Sequence, residues 1–271
     1  MGDGPTDLLR MTMPSLYIPH GGGPCFFMDD PQGMWTGMER FLRDLPGLLP
    51  YRPRAILIVT GHWETEGFRL TGTVRPGLIF DYYGFPEHTY RLRYPAPGDP
   101  ALAERAVALL RDAGLAAGVD PDRGLDHGAF VPLMVAFPDA DVPVVEMSLD
   151  RGLDPLLAAR AGAALQPLRD EGVLIVGAGM SFHNMQAYRQ AGAADPSRLF
   201  DDWLAAAVEG PAEGRAERLA GWAEAPAGRY AHPREEHLLP LMVAAGASQG
   251  PGKKIYGEPV LGTMISGFRF D

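Results

Sequence analysis

The feature that most constrains this chain is an apolar run that leads directly into a glycine and a histidine. Residues 56–59 read Ile-Leu-Ile-Val, and Thr60, Gly61 and His62 follow them. An uninterrupted run of aliphatic residues of this length predicts a strand that is buried on both faces. In open α/β sheets, ligands bind beyond the carboxyl ends of such strands. The sequence therefore predicts that His62 stands in a cleft at the carboxyl end of a central strand.

Two further strand-like segments lead to a histidine in the same way. Residues 15–18 run into His20 and three consecutive glycines, and residues 173–176 lead through a glycine-rich loop to His183. Consecutive glycines indicate a loop that approaches another group closely or adopts positive φ. A fourth histidine, His127, is also followed by a glycine. We expect several of these histidines to converge with His62 on a metal ion, because neutral imidazole is a common metal ligand in proteins.

Strand-like and helix-like segments alternate along the chain, which favours an α/β fold with three layers, αβα, around a central, mostly parallel or mixed sheet. No linker is long enough to divide the 271 residues, so residues 14–271 are predicted to form a single catalytic domain after a flexible leader over residues 1–13. Residues 68–73 and 78–83 flank a Pro-Gly turn and predict a hairpin. Asp-Pro pairs at 99–100 and 154–155 predict the starts of two helices.

Charge and composition exclude several classes of partner. The formal net charge of −10 argues against nucleic acid and against an anionic membrane surface, because both require a basic face. No run of 18 apolar residues is present, so no membrane-spanning helix is predicted. The single cysteine, Cys25, cannot form an intrachain disulfide and fits a reducing, cytoplasmic location. A monomer and a homodimer both remain open.

Any metal site must be assembled from distant segments, because the chain has neither an HExxH nor a CxxC motif. Residues 234–245 have helical spacing and carry His237. Pro233 separates this predicted helix from His232, and two histidines five residues apart on one helix would not face the same ion. His237 is therefore the predicted ligand, and His232 is assigned to the preceding loop.

Glu235 and Glu236 are competing candidates beside His237. A carboxylate that joins two histidines would form the facial triad of non-haem Fe(II) oxygenases. The alternative is an acidic first turn of a helix, which the helix dipole favours. The sequence leaves the contribution of either glutamate to the metal site open.

Taken together, several short stretches resemble the class III extradiol ring-cleavage dioxygenases, the LigB-like superfamily, and in particular its DOPA 4,5-dioxygenase-type branch. The matching stretches follow the family order and are residues 19–24 (PHGGGP), 60–63 (TGHW), 81–86 (DYYGFP), 94–98 (YPAPG), 124–128 (GLDHG), 179–184 (GMSFHN) and 237–241 (HLLPL).

This resemblance implies a non-haem Fe(II) enzyme that opens the ring of a catechol-type aromatic with O₂ and incorporates both oxygen atoms. It implies that His20, His62 and His237 hold the metal, with Zn(II) as another possible occupant. It further implies that His183 is the catalytic acid/base and that His127 is a second active-site histidine that contacts substrate.

Two other functions are compatible with the residues alone. The same histidines around Zn(II) would activate water in a hydrolase, because ligand type does not by itself select the metal. A non-catalytic relative that keeps the fold and the metal is the second alternative. Retention of His183 and His127, which have no evident packing role in the sequence, argues against that second reading.

Overall fold

The computed structural model describes residues 12–271. The leader predicted over residues 1–13 falls outside the described residues except for its last two positions. Met13 is fully buried, and its backbone N–H donates to the carbonyl of Arg169 at 3.1 Å. The packed part of the chain thus includes Met13.

Ten strands lie within the described residues. They are β1 Ser15–Pro19, β2 Ala55–Thr65, β3 Phe68–Thr71, β4 Leu78–Ile79, β5 Ala117–Asp120, β6 Leu125–Asp126, β7 Val144–Asp150, β8 Val173–Gly179, β9 Gly252–Val260 and β10 Thr263–Phe270. Eight of them form one sheet in the order β5-β3-β7-β2-β8-β1-β10-β9, and β4 pairs with β6 in a small second sheet. The four central strands, β7, β2, β8 and β1, are parallel. Because β3 and β10 run antiparallel to their central neighbours, the sheet is mixed, as predicted.

Nine α-helices accompany these strands in residues 12–271. They are α1 Thr36–Asp44, α2 Pro100–Asp112, α3 His127–Ala136, α4 Pro155–Leu165, α5 Pro167–Asp170, α6 Ala194–Glu209, α7 Arg215–Ala220, α8 Gly228–Ala231 and α9 Leu239–Gly246. The predicted starts of α2 and α4 are confirmed. The Asp99 carboxylate accepts from the backbone N–H of Leu102, and that of Asp154 accepts from the N–H of Leu156, so each caps its helix.

The layers follow from the burial of α3 and α9, whose residues are almost all apolar. Helix α9 packs against β1, β2 and β8, and α4 covers its outer side. Helix α3 packs against β2 and β8 and is covered by α1. A helix that is apolar all round must be buried between the sheet and another helix, which gives the predicted αβα architecture. No helix in residues 12–271 is both long and apolar enough to cross a bilayer.

Two local predictions are wrong. Strands β3 and β4 do not form a hairpin, because β3 joins the main sheet between β5 and β7 while β4 pairs in parallel with β6. The alternation of apolar residues identified the strands but did not determine their partners. The helix predicted over residues 234–245 begins only at Leu239, so His237 lies in the turn before it.

Candidate metal centre and active site

His20 and His62 reach the same edge of the sheet by different routes. His20 directly follows β1, and its backbone N–H donates to Gly179 at 3.1 Å. His62 lies inside β2 rather than after it. Pairing of β2 with β7 is interrupted between Val59 and Glu64, where β2 has three more residues than its partner. A bulge of this kind redirects side chains, and His62 stands on it.

Two glycines on neighbouring strands, Gly61 at the bulge of β2 and Gly179 at the end of β8, make room for the segment that carries His237. A Cβ atom on Gly61 would lie 2.8 Å from the carbonyl oxygen of Glu236, and one on Gly179 would lie 2.1 Å from that of His237. Only glycine permits such close backbone approach. The Tyr17 hydroxyl, from β1, donates to the His237 carbonyl at 2.8 Å and fixes this segment against the sheet.

These supports bring His20, His62 and His237 together. Their ring centroids are 5.1 Å apart for His20 and His62, 5.1 Å for His20 and His237, and 4.8 Å for His62 and His237. One nitrogen from each ring lies within 4.8 Å of the other two. Histidines that are far apart in sequence thus form one compact group of donors.

The hydrogen bonds of these rings leave nitrogen lone pairs free. Nδ1–H of His20 donates to the Gly21 carbonyl at 2.9 Å, and Nδ1–H of His237 donates to Oε1 of Glu236 at 2.9 Å. Nε2 of His20 and Nε2 of His62 are buried and have no hydrogen-bond partner among residues 12–271. Buried polar atoms are rarely left unpaired, so a group of orphaned imidazole nitrogens fits a metal ion.

The pKa values of the three imidazoles favour the neutral form that binds metal. Burial lowers the pKa of His20 and of His237 well below the usual value, and neighbouring histidines lower both further. Burial lowers the pKa of His62 to about 4, although Asp126 and Asp81 act in the opposite direction. Neutral pH therefore requires no proton release from these rings on metal binding.

Two other groups of potential ligands share members with this one: His62, Asp81 and His127, and His183, Glu236 and His237. Their carboxylates already accept internal hydrogen bonds, including one of 2.7 Å from His127 Nδ1 to Asp81. Burial alone would raise the pKa of Asp81, but the hydrogen bond and charge of His127 outweigh it and lower the pKa to about 2. The three-imidazole group is the better candidate for a metal site, because the Nε2 atoms of His20 and His62 have no other partner among residues 12–271.

The structure distinguishes between the two glutamates beside His237. Oε1 of Glu236 accepts from His237 and also lies 3.4 Å from Nδ1 of His183. Burial would raise the pKa of Glu236, but hydrogen bonds from these two histidines lower it far below its usual range. Glu235 instead pairs with Arg229 at 3.0 Å. The Glu236 carboxylate is thus placed to orient the imidazoles of His237 and His183. This role was not predicted from the sequence.

We expect Glu236→Ala to weaken metal binding about 10- to 100-fold, because outer carboxylates orient ligand imidazoles and raise their basicity. The measurement is the metal dissociation constant in competition with a chelator. Glu235→Ala, which removes the neighbouring carboxylate, is the matched control and should leave this constant unchanged. Equal weakening in both variants would contradict the assigned role of Glu236.

His183 and His127 both line the space beside the three imidazoles. The His183 ring is stacked on that of His237, with centroids 3.4 Å apart and planes 18° from parallel. Its backbone N–H donates to Ala231 at 2.9 Å. His127 begins α3, and both its backbone N–H and its Nδ1–H donate to the same oxygen of Asp81, at 3.0 and 2.7 Å. Each ring is held by a carboxylate and faces the cavity.

The five histidines at this site, with His20, His62 and His237 as the candidate metal group, line one cavity of about 470 Å³. The remaining wall is mostly aromatic and aliphatic, and it includes Trp35, Tyr82, Tyr83, Phe85, Met185 and Leu261. A cavity of this volume and character accommodates a small planar aromatic molecule. Tyr82, Tyr83 and Phe85 belong to the loop that follows β4, so this aromatic loop covers the site.

Three residues considered in the sequence lie outside this cavity. His232 is fully buried, and its Nε2–H donates to the Ser181 carbonyl at 2.9 Å. His88 is exposed, and its Nε2–H donates to Phe27 at 2.9 Å. Cys25 is a buried free thiol whose pKa is raised by burial, as expected for a packed residue rather than a nucleophile.

A buried acidic network beneath the site was not recognised from the sequence. The Thr60 hydroxyl donates to Asp126 Oδ2 at 2.9 Å and accepts from the backbone N–H of His62 at 3.2 Å. Arg123 donates to the same Asp126 oxygen at 3.1 Å. Burial, and then the charge of Asp126, raises the pKa of Glu146, which lies beside it. The β2 bulge is thereby tied to the start of α3.

We expect Asp126→Ala to lower the free energy of unfolding by about 3 kcal/mol, because it leaves the Arg123 guanidinium and the Thr60 hydroxyl without their acceptor. Chemical denaturation measures this change. The control is Asp122→Ala at a nearby exposed position, where we expect a change within about 0.5 kcal/mol. A loss below about 1 kcal/mol for Asp126→Ala would show that the network contributes little to stability.

One family of known proteins matches almost the whole chain. Residues 16–268 match the family described as the catalytic LigB subunit of aromatic ring-opening dioxygenase. The chain belongs to this LigB family. The resemblance inferred from the short stretches is thereby confirmed, and the protein is a ring-cleaving dioxygenase of the LigB type. The LigB family implies a catalytic metal, and the group of histidines described above suits one.

Named LigB relatives cover most of the chain. Dioxygenase tasH of Hapsidospora irregularis is 38% identical over 93% of this chain and 83% of its own length. The 4,5-DOPA dioxygenase extradiol of Portulaca grandiflora is 38% identical, covering 93% and 92%. That of Escherichia coli K12 is 35% identical, covering 88% and 86%. A crystal structure of an uncharacterized Escherichia coli K12 protein is 28% identical and superimposes with a TM-score of 0.76, over 96% of this chain and 100% of that one.

Proposed function

We propose that this protein is a non-haem Fe(II)-dependent extradiol dioxygenase that opens the ring of a catechol-type aromatic with O₂. The observation that carries the proposal is the group of three imidazoles at the base of an aromatic-lined cavity, two of which, His20 and His62, have a buried nitrogen without a hydrogen-bond partner among residues 12–271. His20, His62 and His237 would hold the metal. Bound Fe(II) would supply the electron transfer between catechol and O₂ that ring opening requires.

We assign to His183 the role of general acid/base. A catechol must lose a proton to become electron-rich enough to react, and imidazole exchanges protons near neutral pH. His183 lines the cavity beside His237, and the Glu236 carboxylate 3.4 Å from its Nδ1 supports a proton on that nitrogen. Its Nε2 is then the atom that accepts the proton of a substrate hydroxyl.

We assign to His127 a contact with the reacting part of the substrate. Its Nδ1–H is committed to Asp81, which leaves Nε2 for the cavity. The ring lies 4.1 Å from that of His62 between centroids, so a group bound beside His62 is within reach of His127. A donor or acceptor held this rigidly stabilises charge that develops during the reaction.

The aromatic wall would orient the substrate ring. The rings of Tyr82 and Phe85 are 5.4 Å apart and nearly perpendicular, and Tyr82 also contacts His127 edge-on at 5.6 Å. The Tyr82 hydroxyl donates to the Thr89 carbonyl at 2.6 Å, which fixes the loop. Such a wall excludes water and holds a planar ring by stacking and edge contacts.

The test is anaerobic loading with Fe(II), followed by a panel of catechols monitored by O₂ uptake and by formation of a yellow product. We expect one O₂ consumed per ring opened, and no O₂ uptake by the Zn(II)-loaded protein. Hydrolysis of an ester or amide panel by the Zn(II)-loaded protein, without O₂ uptake by the Fe(II)-loaded protein, would replace this proposal with a zinc hydrolase. Inactivity in both assays would favour a non-catalytic metal-binding relative.

Localisation and oligomeric state stay predictions. The cytoplasmic location predicted from the single cysteine fits a small-molecule substrate. Both a monomer and a homodimer are compatible with a site built from residues of one chain. Neither point affects the chemistry proposed above.

A further inference from the structure

The cavity lining of the described residues has no lysine or arginine that could pair with an anionic substituent. Among the described residues that line it, none is a lysine, arginine, aspartate or glutamate. Two of its three tyrosine hydroxyls are already committed: Tyr82 donates to Thr89 at 2.6 Å and Tyr188 donates to Phe182 at 2.6 Å. Moving a carboxylate from water into such surroundings without a partner is costly.

The carboxylates directly behind the cavity wall are bound to cavity histidines, and the arginines behind them are paired with acidic residues, as Arg234 is with Glu64 at 2.6 Å. Asp81 and Glu236 each hydrogen-bond a cavity histidine, at 2.7 and 2.9 Å. Arg189 follows the lining residue Tyr188, but its guanidinium lies 3.9 Å from the Met34 sulfur, and it is not among the lining residues. An anionic substituent would therefore meet carboxylates beyond the histidines, and no lysine or arginine on the wall.

The rim of the cavity is apolar and exposed. Tyr83 is 91% exposed and Met185 is 68% exposed, and both line the opening. Large exposed apolar side chains at a cavity mouth indicate a surface that a ligand covers. An apolar substituent extending from a bound ring would remove this surface from water.

Leu261 adds a second, independent observation. It occupies the two-residue turn between β9 and β10, where Val260 pairs with Thr263, and it has φ +52°. Gly262 has φ +84°, so both turn residues adopt the left-handed backbone conformation. Hairpin turns of this type favour Asn or Gly at the first position. Leucine is disfavoured there, yet its side chain lines the cavity. Backbone strain of this kind is retained where the side chain has a function.

We propose that this cavity selects catechols with an uncharged, apolar substituent over catechols that carry a carboxylate, and that Leu261 is a specificity-determining residue for this choice. The proposal rests on the ring-opening function proposed above. Ring opening concerns the catechol ring itself, whereas this proposal concerns the substituent that the ring carries.

The test compares two ligands that differ in charge and by one methyl group, 3-(3,4-dihydroxyphenyl)propanoate and its methyl ester, together with 4-methylcatechol and 4-butylcatechol, which calibrate the effect of added apolar carbon. Dissociation constants are measured by calorimetry on the Zn(II)-loaded protein under argon, so that binding is read without turnover. We expect the ester to bind about tenfold more tightly than the carboxylate. Each buried methylene should add up to about fourfold between methyl- and butylcatechol.

Two variants test which residues set the preference. Leu261→Asn suits the left-handed turn better, so its melting temperature should be equal or higher, while its affinity for 4-butylcatechol falls at least about threefold. Met185→Lys places a cation on the rim and should improve binding of the carboxylate about fivefold. Leu199→Lys, at a position that is 55% exposed and outside the cavity, is its control and should change neither constant.

The outcomes separate this inference from the proposed function. Equal binding of ester and carboxylate, with ring opening intact, would overturn the inference alone. Preference for the carboxylate that disappears in Arg189→Gln would overturn it and assign the recognition to Arg189. Absence of binding and of ring opening for all four catechols would overturn the proposed function and, with it, this inference. An unchanged affinity for 4-butylcatechol in Leu261→Asn would remove the role of Leu261.

Discussion

Replacing His237 with alanine is expected to lower metal affinity by more than about a hundredfold and to abolish ring opening. Loss of an outer carboxylate costs about 10- to 100-fold, and loss of a donor itself should exceed that. The variant leaves two imidazoles, His20 and His62, where the structure places three. The measurements are metal content after dialysis against a weak chelator and O₂ uptake with a catechol.

A matched control is His88→Ala, because His88 is exposed and lies outside the cavity. Its metal content and activity should equal those of the unaltered protein. The far-ultraviolet circular dichroism of His237→Ala should stay unchanged, which separates loss of the site from loss of the fold. Full metal content in His237→Ala would reject this ligand set and favour the group formed by His62, Asp81 and His127.

The second large effect is expected for His183→Ala, where metal content stays intact while kcat falls about 10²- to 10⁴-fold. This is the range in which a positioned acid/base contributes to catalysis. The His183 side chain is one-fifth exposed and borders the cavity, and within residues 12–271 it contacts Glu236 and the stacked ring of His237. Metal analysis and steady-state O₂ uptake on the same preparation measure both quantities.

The stacking on His237 calls for a second variant at this position. Removing the His183 ring leaves a space beside His237 and could displace it. His183→Phe keeps a stacked ring but provides no proton acceptor, so it should retain metal and show the same loss of kcat. Parallel loss of metal in both variants would instead identify His183 as a ligand.

The parts of the fold that depend on local pattern were predictable from the sequence. Continuous aliphatic runs identified β2 and β8, and Asp-Pro pairs identified the starts of α2 and α4. Strand partners were not predictable, because β3 and β4 have the alternation of a hairpin but pair elsewhere in the fold. Pairing depends on contacts between residues far apart in sequence, which a local pattern does not contain.

In the site, too, the residues marked by a local pattern were predictable and those placed by long-range contacts were not. Apolar runs that lead to a histidine, directly or through glycines, indicated His20, His62 and His183, and the structure brings these to one cavity with His127 and His237. The orienting carboxylates were harder to find. Asp81 lies in an aromatic loop, and Glu236 could equally have been an exposed residue of a helix start. Their roles arise from long-range hydrogen bonds, for which neither residue type nor spacing is a signal.

The distribution of the candidate ligands along the chain determines when the centre can form during synthesis. The first two histidines lie in the first quarter of the chain, while His237 is packed against Gly61 and Gly179 from a segment near the other end. A nascent polypeptide that stops before residue 237 lacks the third imidazole, however well its sheet has formed. The complete set of candidate ligands is therefore available only after the segment that carries His237 has been made.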